Sequence, residues 1–222
     1  MATTPALDRY RKKRDFTATA EPSGGRRGRA ARQHELIYVV QRHEARRLHY
    51  DFRLEWNGVL LSWAVPKGPS LDPEAKRLAV HVEDHPVEYA SFQGDIPKGH
   101  YGAGHVDIWD SGIWIPHGDP DKDLAKGHLR FDLEGGQLAG GWMLIRMKRE
   151  EDQWILRKLD DAYVVPGYDA EAPAAASKAV RKTSAARKAA GKAAAAKAAG
   201  DTATNKPATG RKATGKKATS ET

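Results

Sequence analysis

The sequence predicts a mainly β protein, a closed antiparallel barrel or sandwich of eight short strands, with basic, disordered termini on either side. Two observations predict it. Between residues 33 and 168, runs rich in Val, Ile, Trp, Tyr and Phe are separated by Gly, Pro and Asp, and little of that stretch has a helical period. Outside it the composition turns cationic and large apolar residues thin out, so the ordered body ends where the charge changes sign.

Taken in order, residues 1–32 form a basic arm, part of it helical, with 9 Lys and Arg against 3 Asp and Glu. No apolar segment follows its charges and no run reaches the length of a membrane span, so a cytoplasmic, nucleoid-associated protein is expected. The strands are read as "LIYVVQ", "HYDFRLEW", "VLLSWAV", "RLAVHVED", "HVDIWDSGIWI", "HLRFDLEG", "GWMLIRM" and "WILRKL", with "DKDLAKG" as a helix. Trp63, Trp109, Trp114, Trp142 and Trp154 belong to the core of this body, since large aromatics prefer burial. Residues 33–169 hold 16 basic and 23 acidic side chains, whereas residues 170–222 hold 12 and 3. That last stretch has 20 alanines and no Leu, Ile, Met or aromatic residue, so it builds no core; a disordered tail, 169–222, is expected to bind DNA by charge. The absence of cysteine excludes disulfides, thiolate zinc sites and thiol nucleophiles.

The segment "VQRHEARRLHYDFRLEW" (40–56) carries the chemistry. Alternate side chains of a strand face opposite ways, so His49, Asp51, Arg53 and Glu55 share one face, and Tyr50, Phe52, Leu54 and Trp56 the other. The apolar face is expected to seal the core and the polar face to line a cleft. In "LAVHVEDHP", parity puts Ala79, His81, Glu83 and His85 together, so two strands offer imidazoles and carboxylates to one surface. His49-x-Asp51 with His43 upstream suits Mn²⁺, Fe²⁺ or Zn²⁺, and Arg53, Lys67 and Arg77 nearby favour a phosphate over a neutral substrate. His49, Asp51 and His85 also fit the facial triad of a non-haem iron enzyme, although the density of basic residues argues against that reading. Glu83 and Glu44 are candidate acceptors for the outer nitrogens of ligand histidines.

At these motifs the chain resembles the 3′-phosphoesterase domain of bacterial DNA ligase D and its stand-alone relatives. The likeness runs from "YRKKRDFTATAEPSG" through "YVVQRHEARRLHYDFRLEWNGVLLSWAVPKGPSLDPEAKRLAVHVEDHPVEYASFQGDIPKGHYGAGHVDIWDSG", then weakly to about Tyr168. The resemblance implies a compact eight-stranded barrel flanked by helices. It implies catalytic Mn²⁺ on His43, His49 and Asp51, with Arg53 and His85 at the scissile phosphate. Lys67, Arg77 and Tyr89 match further phosphate-contacting positions, and Arg14, Asp15 and Glu21 match residues of the arm that the family also uses. The implied activity removes a 3′-terminal ribonucleoside, then the 3′-phosphate, leaving DNA 3′ ends ready for sealing in double-strand break repair. The implied partners are DNA 3′ ends and a DNA ligase or other end-joining protein, and a monomer is expected. The runner-up is a non-enzymatic DNA-binding accessory that bridges a ligase to DNA. Lys98 and His100 depart from the residues common in relatives. His85, titrating near neutrality, is expected to protonate the leaving oxygen. "GHYGAGH" (99–105) reads as a turn, since no Lys-Ser/Thr follows it as in a P-loop.

Overall fold

The structure, a computed structural model, describes residues 5–24 and 35–171. The expected tail beyond Glu171 and the Arg-rich end of the arm lie outside the described residues. Among the described residues ten strands form: β1 (Ile37–Glu44), β2 (Leu48–Trp56), β3 (Val59–Val65), β4 (Arg77–His81), β5 (His85–Pro86), β6 (Gly94–Ile96), β7 (Gly104–Pro116), β8 (His128–Gly135), β9 (Ala139–Arg146) and β10 (Gln153–Lys158). Eight of them follow the order β1-β2-β3-β4-β10-β9-β8-β7, and β1 also pairs with β7, which closes an antiparallel barrel as expected. The short β5 and β6 are additions, paired on β3 and β7.

Local chemistry explains the connections. Asn57 and Gly58 join β2 to β3 at φ 49° and 81°, the left-handed pair that a two-residue hairpin turn requires. The expected helix is α2 (Pro120–Lys126), which follows α1 (Asp8–Lys12) in the arm. Asp119 caps α2 by accepting from the Asp121 backbone N–H at 3.1 Å, and Pro120 occupies its first turn.

Two buried clusters divide the apolar residues. The barrel interior holds Phe52, Leu54, Trp63, Trp114, Phe131, Trp142 and Trp154, with Trp109 packed partly against it. The second cluster lies on the other face of β2 and β3 and gathers Tyr10 of the arm, Leu60, Tyr89, Phe92, Ile96 and Val106. The polar face of β2 lines a cavity through His49, Asp51 and Arg53, as expected, but it is more deeply buried than an open wall, with Asp51, Arg53 and Glu55 8%, 2% and 2% exposed. The arm and the 3-10 turn Val87–Ser91 cover it, so β2 is buried on both faces.

Candidate metal centre

The centre forms where the β1–β2 hairpin pairs His43 with His49 directly across the two strands. Their rings lie 4.7 Å apart, and Asp51 sits two residues further along the same face. One ligand atom from each of the three residues lies within 4.8 Å of the others. The outer ring nitrogens are already committed. His43 Nε2–H donates to the Gly102 carbonyl at 2.8 Å, and His49 Nδ1–H donates to the Arg47 carbonyl at 3.0 Å. A carbonyl only accepts, so those nitrogens carry the protons. The inner nitrogens face Asp51, His43 Nδ1 at 3.5 Å from Oδ2 and His49 Nε2 at 3.7 Å from Oδ1, and a bound cation would meet them as lone pairs. Three converging ligand atoms make a set that a divalent cation fits, and the carbonyls fix the ring orientations such a site needs.

Those carbonyls replace the carboxylates expected from sequence. Glu44 pairs with Arg42 instead, and Glu83 pairs with Lys13 at 2.9 Å and Arg14 at 3.1 Å. Gly102 can present its carbonyl because the turn holds it at φ 78°, a region glycine enters without strain.

Asp51 is held as an anion. Burial opposes its charge, but Arg53 and the two histidines outweigh that and keep the carboxyl well below its usual range. Arg53 Nη2 meets Asp51 Oδ2 at 3.1 Å, its Nε donates to Gln41 Oε1 at 2.9 Å and its Nη1 donates to Ser62 Oγ at 2.8 Å. The guanidinium also lies 4.9 Å from the centre of the Tyr89 ring. Gln41, wholly buried, donates in turn to the carbonyls of Tyr89 and Phe92 at 3.1 and 2.8 Å, fastening the covering turn to the barrel wall.

The arm supplies a second buried cation. Arg14 donates to Glu21 at 2.8 Å and to Glu83, and its Nη2 lies 3.2 Å from His85 Nε2. His85 Nδ1–H donates to the Glu83 carbonyl at 2.8 Å, so Nε2 is the acceptor of the Arg14 bond. Burial, with Arg53 and Arg14 nearby, pushes the His85 imidazole well below its ordinary value. In this geometry Nε2 turns its lone pair to Arg14 inside the cavity.

A cavity of about 270 Å³ brings His43, His49, Asp51, Arg53, His85 and Arg14 together, with Tyr89 in its wall. Glu21 stands behind it, accepting from Tyr89 Oη at 3.0 Å as well as from Arg14. Asp15, Lys67 and Arg77 do not line this cavity. Asp15 is exposed and closes its own turn on Thr17, Lys67 is exposed after β3, and Arg77 opens β4 with its Nε buried and unpartnered among the described residues. His81 also departs from expectation. It packs 5.1 Å from Trp63, because β4 ends there and the alternation does not continue to His85. Sequence reasoning missed Gln41, Ser62, Gly102 and Tyr101, the last a lining residue of the cavity that accepts from Lys13 at 3.2 Å. Gln41 offered a signal as an uncharged polar residue inside the apolar run of β1, whereas a backbone carbonyl in a glycine turn offers none.

A closed antiparallel barrel with a His-His-Asp triad and two buried guanidinium groups on its outer wall defines a candidate metalloprotein with an anion-accepting cleft. Residues 41–146 match the family model of the DNA ligase D 3′-phosphoesterase domain, and the chain belongs to that family. It is 56% identical over 163 residues to the multifunctional non-homologous end joining protein LigD of Pseudomonas aeruginosa, covering 72% of this chain and 19% of that one. It is 45% identical over 156 residues to the multifunctional non-homologous end joining DNA repair protein LigD of Mycobacterium tuberculosis, covering 69% and 20%. With the LigD of Mycolicibacterium smegmatis the identity is 41% over 161 residues, covering 70% and 21%. The chain thus spans about a fifth of the length of these relatives. No helix among the described residues is long and apolar enough to cross a membrane.

Proposed function

We propose that this protein is a Mn²⁺-dependent hydrolase that heals DNA 3′ ends in double-strand break repair by non-homologous end joining. In this reading it removes a 3′-terminal ribonucleoside and then the 3′-phosphate to leave a 3′-hydroxyl. The observation that carries it is one cavity in which three lone-pair donors meet two buried guanidinium groups. A phosphate is the ligand whose charge and oxygens suit both halves. His43, His49 and Asp51 would hold the metal, which supplies Lewis acidity and a water acidified for attack near neutral pH.

The protein's own groups do the rest. Arg53 has two N–H bonds beyond the three it has committed, and these meet the charge that develops on the phosphate oxygens. Arg14 lies against His85, whose neutral ring fixes that guanidinium, and Glu21 holds Arg14 and Tyr89 in register. Lys67 and Arg77 serve the DNA backbone outside the cavity, and Asp15 supports the turn of the arm. The partners are DNA 3′ ends and a ligase or other end-joining protein, met in the cytoplasm at the nucleoid by a monomer. The tail 169–222 adds affinity for DNA by charge.

The test is a labelled primer-template ending in a 3′-phosphate or in a single ribonucleotide, incubated with Mn²⁺ or EDTA. Conversion to a 3′-hydroxyl with Mn²⁺ and none with EDTA is expected. DNA binding without any change at the 3′ end would support the accessory reading instead.

A further inference from the structure

A second cavity, of about 550 Å³, adjoins the metal cavity and shares Ala45, His49 and Gly102 with it. Its remaining wall is Arg46 and Arg47 from the bend between β1 and β2, with His100 and Ala103 from the facing glycine turn. We infer that this groove is a subsite for the backbone phosphate next to the terminal one, so that the protein grips a single strand two phosphates deep. The inference rests on the reading of the site as a DNA 3′-end phosphoesterase.

The contrast with the inner cavity carries it. There each cation has a carboxylate, Arg14 with Glu21 and Glu83, and Arg53 with Asp51. On the hairpin, Glu44 is taken by Arg42. Arg46 and Arg47 are exposed and have no carboxylate partner among the described residues. The field of Asp15 reaches His100, but that carboxylate is already bonded to Thr17. Two guanidinium groups and an imidazole therefore face one groove with little counter-charge, and the groove opens onto the triad through His49. Such a lining suits a polyanion that continues outward from the reacting phosphate. It reads no base, so the grip is independent of sequence.

The experiment uses the full chain in EDTA and a 5′-fluorescein single strand ending in a 3′-phosphate, read by anisotropy. A second probe carries a neutral methylphosphonate at the linkage adjacent to the terminal nucleotide. The wild-type protein is expected to bind this probe about tenfold more weakly. The Arg46→Ala/Arg47→Ala variant should bind the natural probe about tenfold more weakly and no longer distinguish the two. Its salt slope on the natural probe should fall by roughly 0.7 for each phosphate that the variant leaves unneutralised. Equal wild-type affinity for the two probes would overturn the inference, and so would an unchanged salt slope in the variant. Methylphosphonate discrimination by a protein that leaves 3′ ends unchanged would sink the proposed reaction and keep the subsite, so the two failures are separable.

Discussion

Asp51 and Asp110 are both buried strand carboxylates, 8% and 6% exposed, and their environments give them opposite characters. Asp110 accepts from the Tyr38 hydroxyl at 2.6 Å and from the backbone N–H groups of Gly136, Gln137 and Leu138 at 2.9, 3.0 and 2.8 Å. Burial raises its pKa despite those bonds. Asp51 has Arg53 and two imidazoles beside it, and its pKa falls. Hydrogen bonds alone make a carboxylate into a staple for a loop, whereas cations and convergent lone pairs make it available to a metal. Burial by itself separates neither case from the other.

The largest effect expected from breaking this contrast is at Asp51. Asp51→Ala should abolish Mn²⁺ binding, and should also cost about 3 to 5 kcal/mol of stability, because it strands the Arg53 charge in the wall. Calorimetric Mn²⁺ titration and a urea melt read the two losses. His49→Ala, which leaves Arg53 paired, should lose the metal with a much smaller stability change.

Arg53→Ala should follow, lowering turnover by about two to three orders of magnitude, the scale of losing one donor to developing oxyanion charge. It should also weaken Mn²⁺ affinity, since Arg53 touches Asp51 directly. Unchanged metal affinity would show that Asp51 does not depend on that interaction.

Asp110→Ala is expected to cost about 3 kcal/mol, with three N–H groups and a hydroxyl left to find other partners, while Mn²⁺ affinity stays as it was. A melt and a titration on the same sample decide whether the two carboxylates are as independent as their surroundings imply.

The smallest effect concerns pH. Asp84, partly buried beside Glu83, is raised to about 6, chiefly by burial. The folded state therefore holds this proton more tightly than the unfolded chain. The associated stability is fully present below about pH 4 and is lost as pH rises through about 6, on the order of 3 kcal/mol. Glu83 is shifted the other way and loses its contribution only in stronger acid. Asp84→Asn, which keeps the uncharged form at every pH, should match wild type most nearly at pH 4 in urea melts and gain on it as pH rises to 7; a constant difference would refute the assignment.

The barrel was legible because its strands alternate cleanly and Gly, Pro and Asn punctuate them. The triad was legible because a His-x-Asp on one strand face is a local pattern. What escaped was non-local. Parity carried His81 toward the site because nothing in "LAVHVEDHP" marks the end of β4 at His81. The partner of His85 Nε2 is Arg14, 71 residues away in the chain, and the ligand orientations depend on backbone carbonyls that no side-chain pattern encodes.

The way the barrel closes also decides where this molecule can be cut. The family match ends at residue 146, yet β10 (Gln153–Lys158) is the strand that joins β4 to β9. The match begins at residue 41, well after Arg14, which lines the cavity, and Tyr10 and Glu21, which pack behind it. A fragment trimmed to the matched residues would have an open seam on one side and an uncovered triad on the other. The unit that folds and the stretch that the family model matches are therefore different lengths of chain, and any transplant of this domain should start before the arm and run past Lys158.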